Sequence, residues 1–327
     1  MTAPIYADLA PMAGYSDTTF RAICSSLGAS CATSEMISAV ALTYKDTKTA
    51  ALAEITENDP PVFLQIFGHD PAVMAEAAEI LLSGGYDGCR YAHSPAGIDI
   101  NMGCPVRKIV TSGDGSALMR DMTLASSIAA SVKRVCEAHG VPLSVKFRLG
   151  WDERSLIAPE FALAMAQSGA DRITLHCRTK EQMYAPSARP EYCSAVRDTL
   201  DSHGFSSVPL IGNGDIDSRE AAERYLSLGC SGISVGRAAL SDPWIFSALA
   251  HPDTHVPPTL DDRIALITDY VTSVAGRLGE VRGIRESRSR AAYLLHGVRG
   301  GAKVRDALNH AETLASFIEE LNKIREI

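Results

Sequence analysis

Residues 98–105 of this 327-residue chain read IDINMGCP, a short β-branched run that stops at a Gly-Cys-Pro corner. Apolar and polar side chains alternate over residues 98–102, which predicts a strand. Gly103 and Pro105 predict the turn that ends it. Cys104 is therefore expected at the carboxyl end of a strand, where its thiol is either a reactive group or a small buried hydrophobe.

Seven further strand-like runs recur along the chain. The eight predicted strands cover residues 6–12, 29–36, 62–67, 98–102, 143–149, 172–176, 208–212 and 232–235. Helical patterns lie between them, at residues 18–27, 72–82, 124–138, 160–167, 189–202, 218–227 and 238–249. Eight alternating units of this kind favour an α/β fold, a (β/α)8 TIM barrel, over an open doubly wound sheet.

The strand pattern stops after Trp244. Residues 251–258 read HPDTHVPP, which is typical of a linker, and the periodicity from residue 259 onward is helical. The sequence therefore predicts a catalytic barrel over residues 1–250, a linker over 251–258, and a small all-helical domain over 259–327.

Composition excludes several classes of protein. The chain is 46% hydrophobic and 21% charged, as in globular proteins, and it has no apolar run near membrane-spanning length. Its first residues lack a secretory signal pattern, so a cytoplasmic location without membrane association is expected. Its eight cysteines form no CxxC pair, which disfavours a structural metal and predicts free thiols.

The net charge of −8 is unevenly distributed. Residues 251–327 balance 11 Lys and Arg against 11 Asp and Glu, so the whole deficit belongs to residues 1–250. Residues 277–305 include eight basic residues and two acidic ones. This basic stripe predicts either nucleic-acid phosphate contacts or a solvated helix face.

Catalytic groups of a TIM barrel lie just after its strands. Polar or reactive side chains lie at the end of almost every predicted strand here, namely Gln65, Cys104, Lys146, Arg148, His176, Arg178, Asn213, Asp215 and Arg237. No GxGxxG or P-loop motif is present, but the loops after strands seven and eight are a usual phosphate site in such barrels. There, Gly236 would let the backbone approach a phosphate, and Arg237 would bind its oxygens.

Lys146 alternates inward with Ser144 and Arg148, and a lysine in a barrel mouth needs a partner. One candidate is the polar edge of a reduced flavin, whose negative charge an ammonium stabilises. Another is a carbonyl substrate, with Lys146 as the nucleophile of a Schiff-base aldolase. Such an aldolase would be colourless and trapped by borohydride.

These motifs together resemble the tRNA-dihydrouridine synthases. The matching segments are residues 10–17, 20–21, 35–36, 65–68, 99–108, 115–119, 145–151, 212–216 and 235–237. Their order and spacing fit along residues 9–246, and the helical tail is also similar. The Asn-Met-Gly form of the cysteine motif resembles the bacterial B-type branch.

The resemblance implies an FMN-dependent barrel joined to a helical tRNA-binding domain, acting as a monomer. It would reduce the C5–C6 double bond of particular tRNA uridines, with NADPH as the reductant of the flavin. Hydride would pass from flavin N5 to C6, and Cys104 would protonate C5. A thiol with a pKa near about 8.5 is protonated at neutral pH and still able to release its proton.

The resemblance also implies a set of binding residues. The cofactor would contact Pro11, Met12, Ala13, Gln65, Lys146, His176, Asn213, Gly214, Asp215, Gly236 and Arg237. The RNA substrate would contact Asn101, Arg178, Arg285, Arg288 and Arg290. No metal ligand is implied, and the uridine would have to be flipped out of the folded tRNA into the barrel mouth.

Three features depart from the family pattern. Residues 86–97 form a segment about ten residues longer than usual, Cys177 stands where the family has glycine, and residues 183–192 lack the usual Ser-Gly-Lys-Ala-Asp-Trp. Two further hypotheses stay open. One is an FMN enzyme of dihydroorotate-dehydrogenase type acting on a free pyrimidine, which leaves the basic helices unexplained. The other is a non-catalytic tRNA-binding protein, whose tRNA affinity would not depend on Cys104.

Overall fold

The computed structural model describes residues 3–326, and every pairing between its nine strands is parallel. The strands are β1 (Ala7–Leu9), β2 (Cys31–Thr33), β3 (Ile37–Ser38), β4 (Val62–Phe67), β5 (Gly97–Met102), β6 (Leu143–Arg148), β7 (Arg172–His176), β8 (Leu210–Asn213) and β9 (Gly232–Val235). Strand β1 pairs with β9 and β2, and β2 pairs with β4, which closes an eight-stranded ring. Strand β3 only extends β4 at its carboxyl end. The predicted TIM barrel is confirmed.

Helices surround this barrel and continue beyond it. Those of the barrel are α1 (Thr18–Ser26), α2 (Ala39–Thr43), α3 (Thr47–Ala50), α4 (Pro71–Leu82), α5 (Arg107–Thr111), α6 (Met122–Ala138), α7 (Ala158–Gln167), α8 (Tyr192–Ser202), α9 (Arg219–Ser227), α10 (Arg237–Ser241) and α11 (Ile245–Ala250). Short 3-10 helices span Ala51–Ala53 and Gly115–Arg120. The C-terminal helices are α12 (Leu260–Leu278), α13 (Glu280–Leu294), α14 (Gly301–His310) and α15 (Leu314–Asn322), followed by a 3-10 turn at Lys323–Glu326.

Two helix predictions need correction. The single helix predicted at 238–249 is divided between α10 and α11 at residues 242–244, because Pro243 cannot donate the backbone hydrogen bond that a continuous helix needs there. The helix predicted from residue 189 begins only at Tyr192, after Pro190. Helices α2 and α3 were not predicted, since each spans less than two turns and has no measurable periodicity.

Side-chain caps set several helix starts. The Asp17 carboxylate accepts from the backbone N–H of Phe20 at the start of α1, and Asp70 caps α4, whose first residue is Pro71. Thr259 and Asp262 form a reciprocal capping box at the start of α12. These starts are therefore encoded locally.

The barrel strands place apolar and polar side chains on opposite faces. The apolar positions of β4 to β7 are fully buried, and they include Leu64, Ile98, Ile100, Val145, Phe147, Ile173 and Leu175. The alternate positions are buried but polar, and they include Gln65, Asp99, Ser144, Arg148, Thr174 and His176. Because β7 lies between β6 and β8, the hydrogen bond from Lys146 to Asn213 can only cross the barrel interior. The interior is thus a polar layer in which chemistry is possible.

The helices after residue 259 bury a second apolar cluster, which includes Ile267, Val271, Leu294, Leu308 and Phe317. Polar contacts join these helices to the barrel. Arg277 forms an ion pair with Glu54 at 2.6 Å, and the Tyr270 hydroxyl donates to Asp17 at 2.8 Å. Within residues 3–326, no helix combines the length and apolarity needed to cross a membrane.

The long segment before β5 lies at the amino end of the barrel. The Ile55 N–H donates to the Arg90 carbonyl at 2.7 Å, and the Ala92 N–H donates to the Ile55 carbonyl at 2.8 Å. The Tyr86 hydroxyl donates to the Asp46 carbonyl at 2.9 Å. Cys104 follows the opposite end of β5, about 20 Å away at roughly 3.3 Å per residue. The extra segment therefore does not shape the surroundings of Cys104.

Candidate active site

Cys104 is half-buried just after β5, in a turn that is held from both sides. The Asn101 side-chain oxygen accepts the N–H groups of Gly103 and Cys104, at 3.1 and 2.8 Å. The Ser116 N–H and hydroxyl both donate to the Cys104 carbonyl, at 3.1 and 2.9 Å. At Gly115, where φ is +60°, a Cβ would lie 2.9 Å from that carbonyl oxygen, so this position requires glycine.

Burial raises the pKa of the Cys104 thiol, while the Val106 N–H and the charges of Arg148 and Lys146 oppose the rise. The thiol is consequently protonated at neutral pH. The two cations lie close enough to stabilise a thiolate once the proton has left. These are the properties required of a proton donor.

Behind the turn lies a buried hydrogen-bonded row. The Asn101 amide nitrogen donates to the Gln65 side-chain oxygen at 2.8 Å, and the Gln65 amide nitrogen donates to Asp99 at 2.7 Å. Asp99 was missed as a site residue. Its signal was its position two residues before Asn101 on one strand, which gives both side chains the same face.

Lys146 reaches across the barrel mouth. Its ammonium donates to the Asn213 side-chain oxygen at 3.0 Å, and the Asn213 amide nitrogen donates to the Ser234 carbonyl at 2.7 Å. Burial and the nearby charge of Arg148 lower the pKa of Lys146 to about 8. The structure thus brings two of the predicted cofactor residues into direct contact.

His176 is buried at the end of β7. Burial, and then the charges of Arg148, Lys146 and Arg178, hold the pKa of its imidazole well below the ordinary value. The Arg178 guanidinium approaches its Nε2 atom at 3.4 Å. His176 therefore presents a neutral ring to the site.

Asp215, which follows β8, forms ion pairs with two arginines. Its carboxylate pairs with Arg178 and, at 2.9 Å, with Arg237, and it accepts the Ala188 N–H at 2.8 Å. Burial alone would raise the pKa of Asp215, but the Ala188 N–H and the two arginines outweigh it and lower the pKa. Asp215 therefore acts by holding the two arginines in place. It does not suit direct contact with a bound anion, because its own negative charge would repel that anion. Its neighbour Gly214 has φ of +126°, a conformation that favours glycine.

Arg237 is the more exposed member of this arginine pair. The Arg237 side chain is 53% exposed, and its guanidinium lies 5.0 Å from the Tyr184 ring centroid. A Cβ at Gly236 would meet nothing closer than Ala10 at 3.8 Å and the Met12 sulfur at 3.9 Å. In the loop after β1, Pro11 and Met12 are half-buried and Ala13 is exposed.

The structure separates the predicted RNA contacts into two groups. Asn101 lies on β5 with its side chain bonded to the Cys104 turn, and Arg285 is exposed on α13. Arg288 is half-buried and donates to the Ala311 carbonyl at 3.0 Å. Arg178 and Arg290 are buried in internal contacts, with side chains 2% exposed, so neither guanidinium lies on the surface of this structure.

Arg290 is held between the helical region and the barrel. Its guanidinium carbon lies 3.6 Å from the Phe20 ring centroid, it donates to the Tyr15 carbonyl, and it pairs with Asp17 at 3.5 Å. Exposed basic side chains do occur near Cys104. They are Arg107 and Lys108 in the first turn of α5.

Residues 3–326 contain no group of three or more His, Cys, Asp or Glu side chains placed to hold a metal ion. All eight cysteines are free thiols, of which only Cys89 and Cys104 are not buried. Cys177 and Cys193 lie in contact, with their sulfurs 3.5 Å apart. Cys104 is therefore the thiol at the strand ends of the barrel that is not buried.

Comparison with known proteins agrees with this geometry. The sequence model of the dihydrouridine synthase family matches residues 8–326. The tRNA-dihydrouridine synthase B of Pseudomonas putida is 34% identical over 310 residues, covering 93% of this chain and 86% of the relative. A probable tRNA-dihydrouridine synthase of Rickettsia conorii is 30% identical over 334 residues, covering 97% and 96%. One of Treponema pallidum is 32% identical over 315 residues, covering 94% and 89%. The chain therefore belongs to the dihydrouridine synthase family.

Proposed function

We propose that this protein is a B-type tRNA-dihydrouridine synthase, which reduces particular uridines of tRNA to 5,6-dihydrouridine with bound FMN and with NADPH as reductant. The observation that carries the proposal is a half-buried Cys104 at a strand end, with the charges of Arg148 and Lys146 acting on its pKa, in a chain of this family. The tRNA substrate would place the enzyme in the cytoplasm, where it would act as a monomer.

The residues of the mouth fit FMN. Lys146 is a desolvated ammonium whose hydrogen bond goes to the neutral amide of Asn213, so it suits the electron-rich edge of a flavin better than a solvent-exposed lysine would. The partly exposed Arg237 suits a phosphate group, and so does Gly236, where even an added Cβ would make only ordinary contacts with Ala10 and Met12.

The chain would hold the cofactor at three places. Residues of the β1 loop would lie beneath the ring, namely Pro11, Met12 and Ala13. Gln65, Lys146 and His176 would contact its polar part, and the phosphate end would lie against Asn213, Gly214, Gly236 and Arg237, with Asp215 holding Arg237. The chemistry that FMN would supply there, when bound, is hydride transfer to C6 of the uracil, with NADPH as the source of the electrons.

Cys104 supplies the proton that completes the reduction. Its S–H bond breaks as a C–H bond forms at C5, which leaves a thiolate. Arg148 and Lys146 lower the energy of that thiolate, since both carry positive charge and both lower the pKa of Cys104. Solvent then returns a proton to the sulfur before the next turnover.

The proposed RNA surface is centred on the mouth. Asn101 stays in it because it adjoins the thiol, and Arg285 stays because it is exposed. Arg107 and Lys108 join it, since they are exposed and follow Cys104 directly along the chain. Their charges would attract the phosphates that flank the flipped uridine.

Replacing Cys104 tests the proposal. The Cys104→Ala variant should retain its flavin absorption and its affinity for tRNA, but lose about a hundredfold or more in dihydrouridine formation. Cys89→Ala, which removes the other thiol that is not buried, should keep wild-type turnover. A colourless wild-type protein, or unchanged turnover in Cys104→Ala, would contradict the proposal.

The lowered pKa of Lys146 also favours a Schiff-base aldolase, because such a nucleophile must be partly neutral. Borohydride reduction in the presence of small carbonyl compounds distinguishes the two functions. A dihydrouridine synthase gives no covalent adduct at Lys146, whereas an aldolase gives one of the mass of the reduced imine.

A further inference from the structure

A directional row of hydrogen bonds connects a buried carboxylate to the Cys104 turn. It runs from Asp99, which is 2% exposed, through Gln65, which is 1% exposed, to Asn101 and the N–H groups of Gly103 and Cys104. Three of its four contacts are between 2.7 and 2.8 Å. None of the predicted cofactor or RNA contacts involves Asp99.

The two ends of the row determine its direction. An ionised carboxylate can only accept, so Gln65 must turn its NH2 group towards Asp99 and its oxygen towards Asn101. Asn101 must then donate from nitrogen to Gln65, which leaves its oxygen for the turn. The backbone N–H groups of the turn can only donate, so they require that same oxygen. The orientation of both amides is therefore fixed from both ends.

Neighbouring strands support the carboxylate. Asp99 pairs in register with Gln65 on β4 and with Ser144 on β6, and Asn101 pairs with Lys146. Burial raises the pKa of Asp99, while hydrogen bonds from Ser144 and Gln65 and the charge of Lys146 oppose the rise. These groups favour the ionised form that the row requires.

We propose that Asp99 is a positioning residue for Cys104, which orients the amides of Gln65 and Asn101 and thereby fixes the turn that aims the thiol. Asp99 touches neither the thiol nor the turn itself. Its importance for turnover rests on the proposed role of Cys104 as proton donor. The effect of the row on Cys104 can be measured through the reactivity of the thiol, in an experiment that needs neither tRNA nor turnover.

The first test is alkylation of Cys104 by iodoacetamide across pH, in the flavin-loaded Cys89→Ala protein. In that background, Cys104 is the remaining thiol that is not buried. With Asp99→Asn, a neutral amide at position 99 no longer dictates the direction of the row, which is then set from the turn end alone, so the turn loosens and the thiol becomes more solvated. We expect alkylation to become about five- to tenfold faster, with a lower apparent thiol pKa.

Gln65→Met provides the matched control because it interrupts the row and leaves Asp99 in place. It should accelerate alkylation by itself, and Asp99→Asn should then add nothing. Equal acceleration by Asp99→Asn in both backgrounds would show that Asp99 acts through space by its charge, and would overturn the proposal. No acceleration in either background would overturn it as well.

A second test reverses the row. In Asn101→Asp, two carboxylates compete for the single NH2 group of Gln65, so the thermal unfolding midpoint should fall. Adding Asp99→Asn lets the new amide at position 99 donate to Gln65, which turns round and donates to position 101. The double variant should regain most of the lost unfolding temperature. In the Gln65→Met background, adding Asp99→Asn should regain none of it. A double variant that is no more stable than Asn101→Asp, or that does not fold, would overturn the proposal.

The two proposals fail separately. Normal turnover in Cys104→Ala would remove the acid role of Cys104 but leave both tests of the row in force. Additive alkylation effects would remove the row but leave Cys104 as the acid. Neither result can be mistaken for the other.

Discussion

The Lys146 ammonium is unfavourable for the stability of the fold but suited to binding an electron-rich group. Removing an ammonium even partly from water costs folding free energy, and burial with the charge of Arg148 lowers the pKa of Lys146 to about 8. Its hydrogen-bond acceptor, the Asn213 side chain, is neutral and does not offset that cost with opposite charge. The residue is therefore better suited to a bound electron-rich group than to the stability of the empty protein.

Replacing this lysine should make the flavin-free protein more stable. Below about pH 8 the folded and unfolded chains both carry the proton, and the full penalty is present. Between about pH 8 and 10.5 the unfolded chain holds a proton that the folded chain has released, so the free energy of unfolding rises with pH. We expect Lys146→Met to be more stable by about 2–3 kcal/mol at pH 7.5, with the difference vanishing by about pH 10.5.

Urea unfolding across pH measures this difference. Lys133→Met is the matched control. Partial burial tends to lower the pKa of Lys133, but its contacts with Asp171 and Glu137 raise it, so its removal should give no gain. A Lys146→Met protein that is less stable than wild type at pH 7.5 would contradict the expectation.

Among the elements, the short helix α5 carries exposed charges directly after the Cys104 turn. It begins at Arg107, has no buried residue, and carries Arg107 and Lys108 in its first turn. Side chains that bury no surface add little to the stability of the fold. Their charge is thus available for a partner.

Reversing the charges of α5 should weaken tRNA binding. We expect Arg107→Glu combined with Lys108→Glu to lower tRNA affinity and to reduce the slope of log affinity against log salt by about 2, because two phosphate contacts are lost. Filter binding at several salt concentrations measures both quantities. Arg134→Glu, on the outer helix α6, should change neither, and an equal effect of the two variants would exclude α5 from the RNA surface.

At the scale of the whole molecule, Arg290 joins the two apolar cores. From α13 its guanidinium stacks on Phe20, pairs with Asp17, and donates to the Tyr15 carbonyl in the loop after β1. That loop also carries Pro11, Met12 and Ala13. The helical region is therefore connected to the proposed flavin site through one buried cation.

Removing the Arg290 guanidinium should destabilise the folded protein without changing the number of tRNA phosphates that it binds. Arg290→Ala should lower the free energy of unfolding by about 2–4 kcal/mol, since Asp17 loses its ion pair and the aromatic rings lose their contact. The salt slope of tRNA binding should stay unchanged. Arg290→Lys should be intermediate, because lysine lacks the planar group that stacks and donates.

Chemical unfolding and the salt series check this expectation. Arg285→Ala is the matched control on the same helix, and its exposed side chain should change stability by less than about 0.5 kcal/mol. An Arg290→Ala protein with wild-type stability and a reduced salt slope would instead return Arg290 to the RNA surface.

Much of the barrel could be predicted because its signals are local. The strands predicted at 62–67, 172–176 and 232–235 have the observed bounds, since alternation and turn residues lie within each segment. The strand predicted at 29–36 shrinks to Cys31–Thr33, because alternation cannot show where pairing with a neighbour stops. Short helices such as α2 lack enough turns to show a period.

The candidate site could be predicted at the strand ends, but not in its internal contacts. The sequence indicated that Lys146 and Asn213 would share the mouth, since parallel strands end at the same edge. The sequence could not show that Asp215 forms ion pairs with both Arg178 and Arg237. That arrangement depends on how far three loops bend towards one another.

The sequence alone determined the alternation of strands and helices, the place of Cys104 at a strand end, and the glycines that its turns require. Those properties depend on neighbours within a few residues. Only the tertiary structure decided which arginines are buried, how Asp99 is connected to the Cys104 turn, and that residues 86–97 lie far from it. The Arg290 side chain meets a carbonyl 275 residues away along the chain. Contacts of that range depend on the packing of whole elements, which no local pattern encodes.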